Sequence, residues 1–484
     1  MTLLFSCRYQ PFYYLSIQDS HNPDIFKPNK SLELASTENE PTEPIAENIT
    51  TKEVKEQIKK MPNKSPGDKV FPQHLKHGTE KLFTIITIIF NASLKLGYFP
   101  DRWKSSIIVM VLKPEKSAQL PTSYRPISLL PIIGKLFEVI MSIRLTKFMI
   151  NKGLFNKYQC GFRKGKSTTH QLLRLAEHVS VWFNKKPSGR TVAIFIDAEK
   201  AFDSVWHQGL KKMLYDTKLP TIIVKWLSSF LDDRTGCIKI NQIHSTKFFL
   251  RAGVPQGGLL APLLYIFYIR EMPTKILHSL ISSFYADDTM YAASDTLHKR
   301  SKTFVSDQLQ PILTKLETFC AKWRIGLNPE KTWALNFHKN SKNNNTPRLW
   351  LKNQLIKYKK ECKFLGITFD EKLSYKAHID NIVTRSRKRL NLLKTVRGKD
   401  WGASPQTLLY TYKSYVRPIL EYGSILFAYA EDNLLKKIQA VETEAIKIAF
   451  RLPPWTTNYW CYQYINFEGI LVRLKNPSQK ISKI

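Results

Sequence analysis

The sequence is short of cysteine pairs, of acid and of long apolar runs. Its six cysteines (Cys7, Cys160, Cys237, Cys320, Cys362, Cys461) lie far apart and form no Cys-x-x-Cys pair. That argues against a zinc site and a disulfide scaffold, and fits an intracellular, reducing compartment, nucleus or cytoplasm. The longest apolar run, residues 259–269, contains Pro262 and stops at Arg270, short of membrane-spanning length. The opening residues, 1–8, lack a basic stretch before their apolar side chains, which argues against a signal peptide. No repeat at solenoid spacing is found. Acid is scarce: 39 Asp+Glu face 74 Lys+Arg, a formal charge of +35.

A hydrophobic content of 43% with 12% aromatics is that of a globular protein, and 484 residues exceed one typical core. Two or three substructures are expected. So strong a positive field, spread along the chain, favours a polyanion, with nucleic acid ahead of an anionic membrane surface.

Taken in order, residues 1–50 read as a linker or disordered arm, because the string 36–44 is polar, aperiodic and carries two prolines. A charged helix over 52–60 precedes the loop signal at 63–67. A helix over 80–96 closes at Gly97. Residues 106–112, apolar and rich in β-branched side chains, predict a buried strand, and 135–149 a helix after Gly134. Residues 159–169 form a basic, glycine-containing loop opening a helix that runs to about 184. Ser167 or Thr168 could cap that helix, and Arg163, Lys164 and Lys166 could meet nucleic-acid phosphates there. An ordinary solvated cap explains the loop as well, and the glycine spacing is not that of a Walker loop.

A buried strand over 192–196 ends at Asp197, and Asp203 opens a helix over 204–215. Gly253-Val254-Pro255-Gln256-Gly257-Gly258 is a flexible loop before an apolar helix over 259–269. Residues 311–323 read as a helix with Pro311 in its first turn, 333–337 and 364–369 as strands, and 372–452 as helical. Ser404-Pro405 begins one of those helices. Ile379, Ile382, Val383, Leu390 and Leu393 share one face of another, while Arg385, Arg387, Lys388, Arg389 and Lys394 cover much of the rest.

Phe284-Tyr285-Ala286-Asp287-Asp288-Thr289-Met290-Tyr291 reads as two strands joined by a tight turn with acid at its tip. By itself Asp-Asp is ordinary turn chemistry. Joined with Asp197 at the end of another strand, it supplies carboxylates from two strands, which suits a pair of Mg²⁺ ions (or Mn²⁺) working in phosphoryl transfer.

The segments 193–202, 253–264 and 284–291, with Lys113, residues 124–130 and 159–169, resemble in order and spacing the motifs of reverse transcriptases. The likeness is to polymerases of non-LTR (LINE-type, jockey-like) retrotransposons and covers roughly residues 60–450. It implies an α+β right-hand polymerase with fingers, an antiparallel-sheet palm and a helical thumb. The ranges expected are fingers and palm over 51–370, thumb over 371–452 and a tail over 453–484.

The resemblance makes Asp197 and Asp287 the principal metal ligands and Asp288 the accompanying acid. Phe202 becomes the aromatic gate against a ribose 2′-OH. Lys113 and Arg125 hold the incoming triphosphate. Gln256 and Gly257 lie near the nascent pair, and Lys331 near the leaving pyrophosphate. Arg385, Lys388 and Arg389 would grip a primer–template duplex. The implied partners are an RNA template, a DNA primer and deoxynucleoside triphosphates, with no membrane and no small-molecule cofactor.

Departures are Gly258, where the family usually has serine, and Ser65-Pro66-Gly67-Asp68-Lys69, which lacks a proline between glycine and aspartate. No endonuclease-like region is read before the polymerase, the N-terminal arm being too short, and no Cys/His cluster after it, a pattern compatible with a truncated element copy or gene-model fragment. An inactive nucleic-acid-binding relic is the alternative reading.

Overall fold

The computed structural model describes residues 44–475 except 64, 115, 276, 297–303, 340–345, 399–401 and 466–467. Most of the expected arm and the end of the tail lie outside the described residues. The strands in chain order are β1 (Ser105–Leu112), β2 (Tyr124–Leu129), β3 (Gly189–Glu199), β4 (Thr235–Ile240), β5 (Ile243–His244), β6 (Phe248–Phe249), β7 (Leu280–Tyr285), β8 (Asp288–Thr296), β9 (Gly326–Phe337), β10 (Trp350–Leu351), β11 (Gln354–Leu355), β12 (Lys357–Tyr358), β13 (Glu361–Phe364) and β14 (Ile367–Asp370). The chain divides into two units, one of residues 1–162, 198–273 and 315–327, the other of 163–197, 274–314 and 328–484.

In the first unit β1 pairs antiparallel with β2 and parallel with β4, and β4 continues to β5 and β6. β1 is half-buried rather than fully buried as expected: its burial alternates, and Val111 and Leu112 reach solvent. An aromatic core packs beside the sheet's helices, with Phe90 stacked on Phe137 at 4.4 Å and Phe99, Trp226 and Phe230 in edge contacts. Gly97 closes the helix Glu80–Leu96 with φ of 60°. The next helix, Ile132–Asn151, begins before Gly134 rather than after it.

In the second unit the sheet order is β12-β9-β3-β8-β7. β3 lies inside it and is covered on both faces, so its first eight residues are all buried, among them the apolar run 192–196. β3 and β8, and β7 and β8, pair antiparallel, while the edge pair β12–β9 is parallel. One continuous core joins this sheet to the helices Thr168–Phe183, Lys376–Arg397 and Asp432–Phe450. Ile379, Ile382, Val383, Leu390 and Leu393 point into it as the helical pattern predicts, and so do Leu434, Ile438, Val441, Ala445 and Ile448.

Several boundaries differ from the sequence reading. Residues 364–369 are not one strand: Leu365 (φ 45°) and Gly366 (φ 86°) form a turn joining β13 to β14. The helix around Pro311 starts earlier, at Phe304, so the proline lies inside it. The apolar helix is shorter, Ala261–Tyr268. β9 starts at Gly326, well before the expected 333.

Candidate active site

The second unit brings Asp197, Asp287 and Asp288 together through strand register. Ile196 on β3 stands opposite Thr289 on β8, so Asp197, the next residue of β3, lies beside the start of β8. Asp197 lies within β3, which runs on to Glu199, rather than directly beyond its end as the apolar run suggested. On the other side Tyr285 pairs with Asp288, leaving Ala286 and Asp287 as a two-residue turn. Ala286 takes φ of 56°, the positive value such tight hairpins require, at a cost of about 1–2 kcal/mol for a residue with a Cβ. Buried Phe284 and Tyr291 pack edge to face at 5.9 Å and anchor the hairpin behind its tip.

The electrostatics of the tip are those of crowded like charges. Asp288 is exposed at the tip, but partial desolvation of its carboxyl beside the hairpin, then the charges of Asp287 and Asp197, push its pKa up to about 6. Lys331 supplies a cation: its Nζ lies 3.9 Å from Asp197 Oδ2. Both side chains are largely exposed, so water screens that pair. Within β9, Asn328 Oδ1 accepts from Lys331 N at 3.2 Å.

All the donors here are hard carboxylate oxygens, the set that suits Mg²⁺ or Mn²⁺. Among the described residues no three His, Cys, Asp or Glu side chains form a ready-made metal cage. Mg²⁺ does not need one, since it binds through one or two carboxylates and completes its shell with water and substrate phosphate oxygens.

The first unit carries Lys113, Arg125, Phe202, Gln256 and Gly257. Lys113, half-buried, follows β1 and donates from Nζ to Thr122 O at 2.9 Å, while Arg125 stands exposed on β2 opposite Val111. Phe202 is half-buried, stacked on Tyr265 at 4.6 Å and edged by Phe162 at 6.1 Å.

The Gly253–Gly258 loop is tied down by Asp203, His207, Ser128 and Glu138, none of them expected from the sequence to hold it. Asp203 does not open a helix, which starts only at His207; it is buried and accepts from Gln256 Nε2 at 2.8 Å. His207, neutral because burial lowers its pKa to about 4, shares a 2.7 Å hydrogen bond with Gly253 O. Ser128 N donates to Gln256 O at 2.7 Å, and a Cβ on Gly257 (φ 128°) would meet Ser128 O at 2.5 Å. Glu138, fully buried, accepts from Leu259 N at 2.8 Å and Leu260 N at 3.3 Å. A lone acid inside the apolar stretch 136–141 was the signal that could have found it.

Of the basic residues, Lys164 and Lys166 are exposed ahead of the helix Thr168–Phe183, and Arg163 is half-buried. Arg385 and Lys388 are exposed on the helix Lys376–Arg397. Arg389 is engaged in packing: Nη1 donates to Tyr415 O at 2.6 Å, and its guanidinium lies 4.3 Å from that ring.

The family model "Reverse transcriptase (RNA-dependent DNA polymerase)" matches residues 111–369, just over half of the chain. The chain belongs to the reverse transcriptase family. The jockey-like, non-LTR resemblance holds as well. The chain is 31% identical over 447 residues to "Probable RNA-directed DNA polymerase from transposon X-element" of Drosophila melanogaster, covering 91% of this chain and 47% of that protein. It is 31% identical over 415 residues to "RNA-directed DNA polymerase from mobile element jockey" of the same organism, covering 82% and 43%. The chain thus spans about half the length of the curated relatives it matches. A solved telomerase structure from Candida tropicalis aligns with TM-score 0.38 and 13% identity, over 80% of this chain and 68% of that one. The fold class is the family's, an α+β right-hand polymerase.

Proposed function

We propose that this chain is an RNA-directed DNA polymerase that extends a primer 3′-OH with deoxynucleoside triphosphates. The observation that carries the reading is the convergence of Asp197 from β3 with Asp287 and Asp288 from the β7–β8 hairpin in a family whose members are RNA-dependent DNA polymerases. In the proposed role Asp197 and Asp287 hold divalent metal, with Asp288 adjusting the charge. Two bound ions would activate the attacking oxygen and stabilise the leaving one.

Lys331, beside Asp197, would neutralise charge developing on pyrophosphate. Lys113 and Arg125 would take the triphosphate. Phe202, held by its stack on Tyr265, would close the space a 2′-OH needs, and the Gln256–Gly257 backbone would sit under the nascent pair.

Residues 51–370 would then supply fingers and palm, and 371–452 the thumb. Arg163, Lys164, Lys166, Arg385 and Lys388 would meet the nucleic-acid backbone, with Arg389 orienting the thumb helix from within. Recognition of an A-form hybrid is by shape and backbone. The described cysteines (Cys160, Cys237, Cys320, Cys362, Cys461) form no disulfide with one another, which supports a site of action inside the cell, nucleus or cytoplasm. No helix among the described residues is long and apolar enough to cross a membrane. Primer extension on an RNA template with Mg²⁺ tests the reading. Incorporation of dNTPs well above rNTPs is expected, and a preference for rNTPs would overturn the assignment of Phe202 and of the product.

A further inference from the structure

Gln171 is 1% exposed, far from ordinary for an amide on a helix that opens at a basic loop. Its place follows from the hairpin. Among the described residues β7 is the last strand of its sheet, and one of its edges has no strand partner there. In a two-residue hairpin the closing pair, Tyr285 and Asp288, exchanges the ladder bonds, and the next residue inward, Phe284, turns its carbonyl outward.

Gln171 meets that carbonyl: Nε2 donates to Phe284 O at 3.1 Å. Its Oε1 accepts from Ser283 Oγ at 2.6 Å. Ser283 is itself fully buried. The two bonds grip consecutive residues of β7, ending three positions before Asp287. At its start the same helix is tied to the helical C-terminal segment, where the Tyr422 hydroxyl lies 3.1 Å from Thr168 Oγ1.

We propose that Gln171 is a positioning residue for the reaction: it fixes the outer edge of β7 and so sets where the Asp287–Asp288 tip stands relative to Asp197. The inference rests on the metal-binding role proposed above for those carboxylates. A hairpin tip without this clamp would pivot on its ladder with β8, and displacement of a ligand by about 1 Å is enough to lower a rate by orders of magnitude.

Gln171→Leu removes both bonds at similar volume. Ser283→Ala is the milder variant; it removes one bond, keeps the other, and serves if the first fails to fold. The measurements are kcat for extension, the Mg²⁺ concentration giving half-maximal rate, primer–template Kd, and Mn²⁺ affinity by electron paramagnetic resonance without substrate. For Gln171→Leu we expect kcat to fall about tenfold or more and both metal constants to weaken, with Kd for nucleic acid unchanged. Ser283→Ala should move the same quantities in the same direction by less.

Unchanged metal constants in folded variants would overturn the inference, as would a loss of kcat that merely tracks the folded fraction. Failure of the underlying reading looks different: wild type would show no Mg²⁺-dependent extension, or Asp287→Ala would extend as well as wild type.

Discussion

At the scale of single residues the carboxylate cluster makes a definite pH prediction. Asp288 holds its proton to about pH 6 in the folded chain, against an ordinary 3.8. Between those values the folded state binds the extra proton, so this group's contribution to stability declines as pH rises through the window. Metal competes with the same proton. The Mg²⁺ concentration for half-maximal extension should therefore rise as pH falls through about 6, and Asp288→Asn should displace that acid limb to lower pH. Identical limbs in the two proteins would contradict the assignment.

The carboxylates themselves were legible in the sequence, because each follows or interrupts a short apolar run. Gln171, Glu138 and His207 were not. Their roles depend on which backbone group comes opposite them, and that is decided by strand and loop register far away in sequence.

Among elements, β3 and β8 do two jobs at their two ends. One end presents Asp197 and Asp288. At the other Arg190 and Asp295 are cross-strand partners, both buried, joined by Nε–Oδ1 at 2.9 Å and Nη2–Oδ2 at 3.1 Å. A buried bidentate pair is costly to break on one side, because the remaining charge is stranded. Arg190→Met should destabilise the chain by about 3–5 kcal/mol in urea unfolding, and adding Asp295→Leu should recover part of that. A loss below about 1 kcal/mol would show that water reaches the pair.

Element types were readable wherever periodicity was strong, as in the helices Glu80–Leu96 and Asp432–Phe450. Boundaries failed where tertiary structure extends or breaks a pattern. β3 runs on through Asp197 to Glu199, past its last register partner on β8, Thr289, and the apolar string 364–369 is broken by a turn. Pro311 suggested a helix start, yet buried Val305 and Leu309 carry the helix back before it.

Across the whole molecule, the +35 charge was the clearest sequence signal of a polyanionic partner, but the structure separates its carriers. Arg385 and Lys388 are exposed, whereas Arg389 is bonded to Tyr415. Replacing Arg385 or Lys388 by Ala should weaken primer–template binding and reduce the slope of log K against log[salt] by about 1 each. Arg389→Ala should instead lower stability and leave that slope nearly unchanged. Equal slopes for all three would mean that packing does not distinguish them.

The central claim is that the Asp197–Asp287–Asp288 cluster performs phosphoryl transfer. Its most direct test compares single-turnover primer extension on RNA by wild type and Asp287→Ala, both saturated with the same primer–template. Wild type should extend in Mg²⁺, and the variant should bind with similar Kd while extending at least about a thousandfold more slowly. A variant that binds and extends at the wild-type rate would contradict the account.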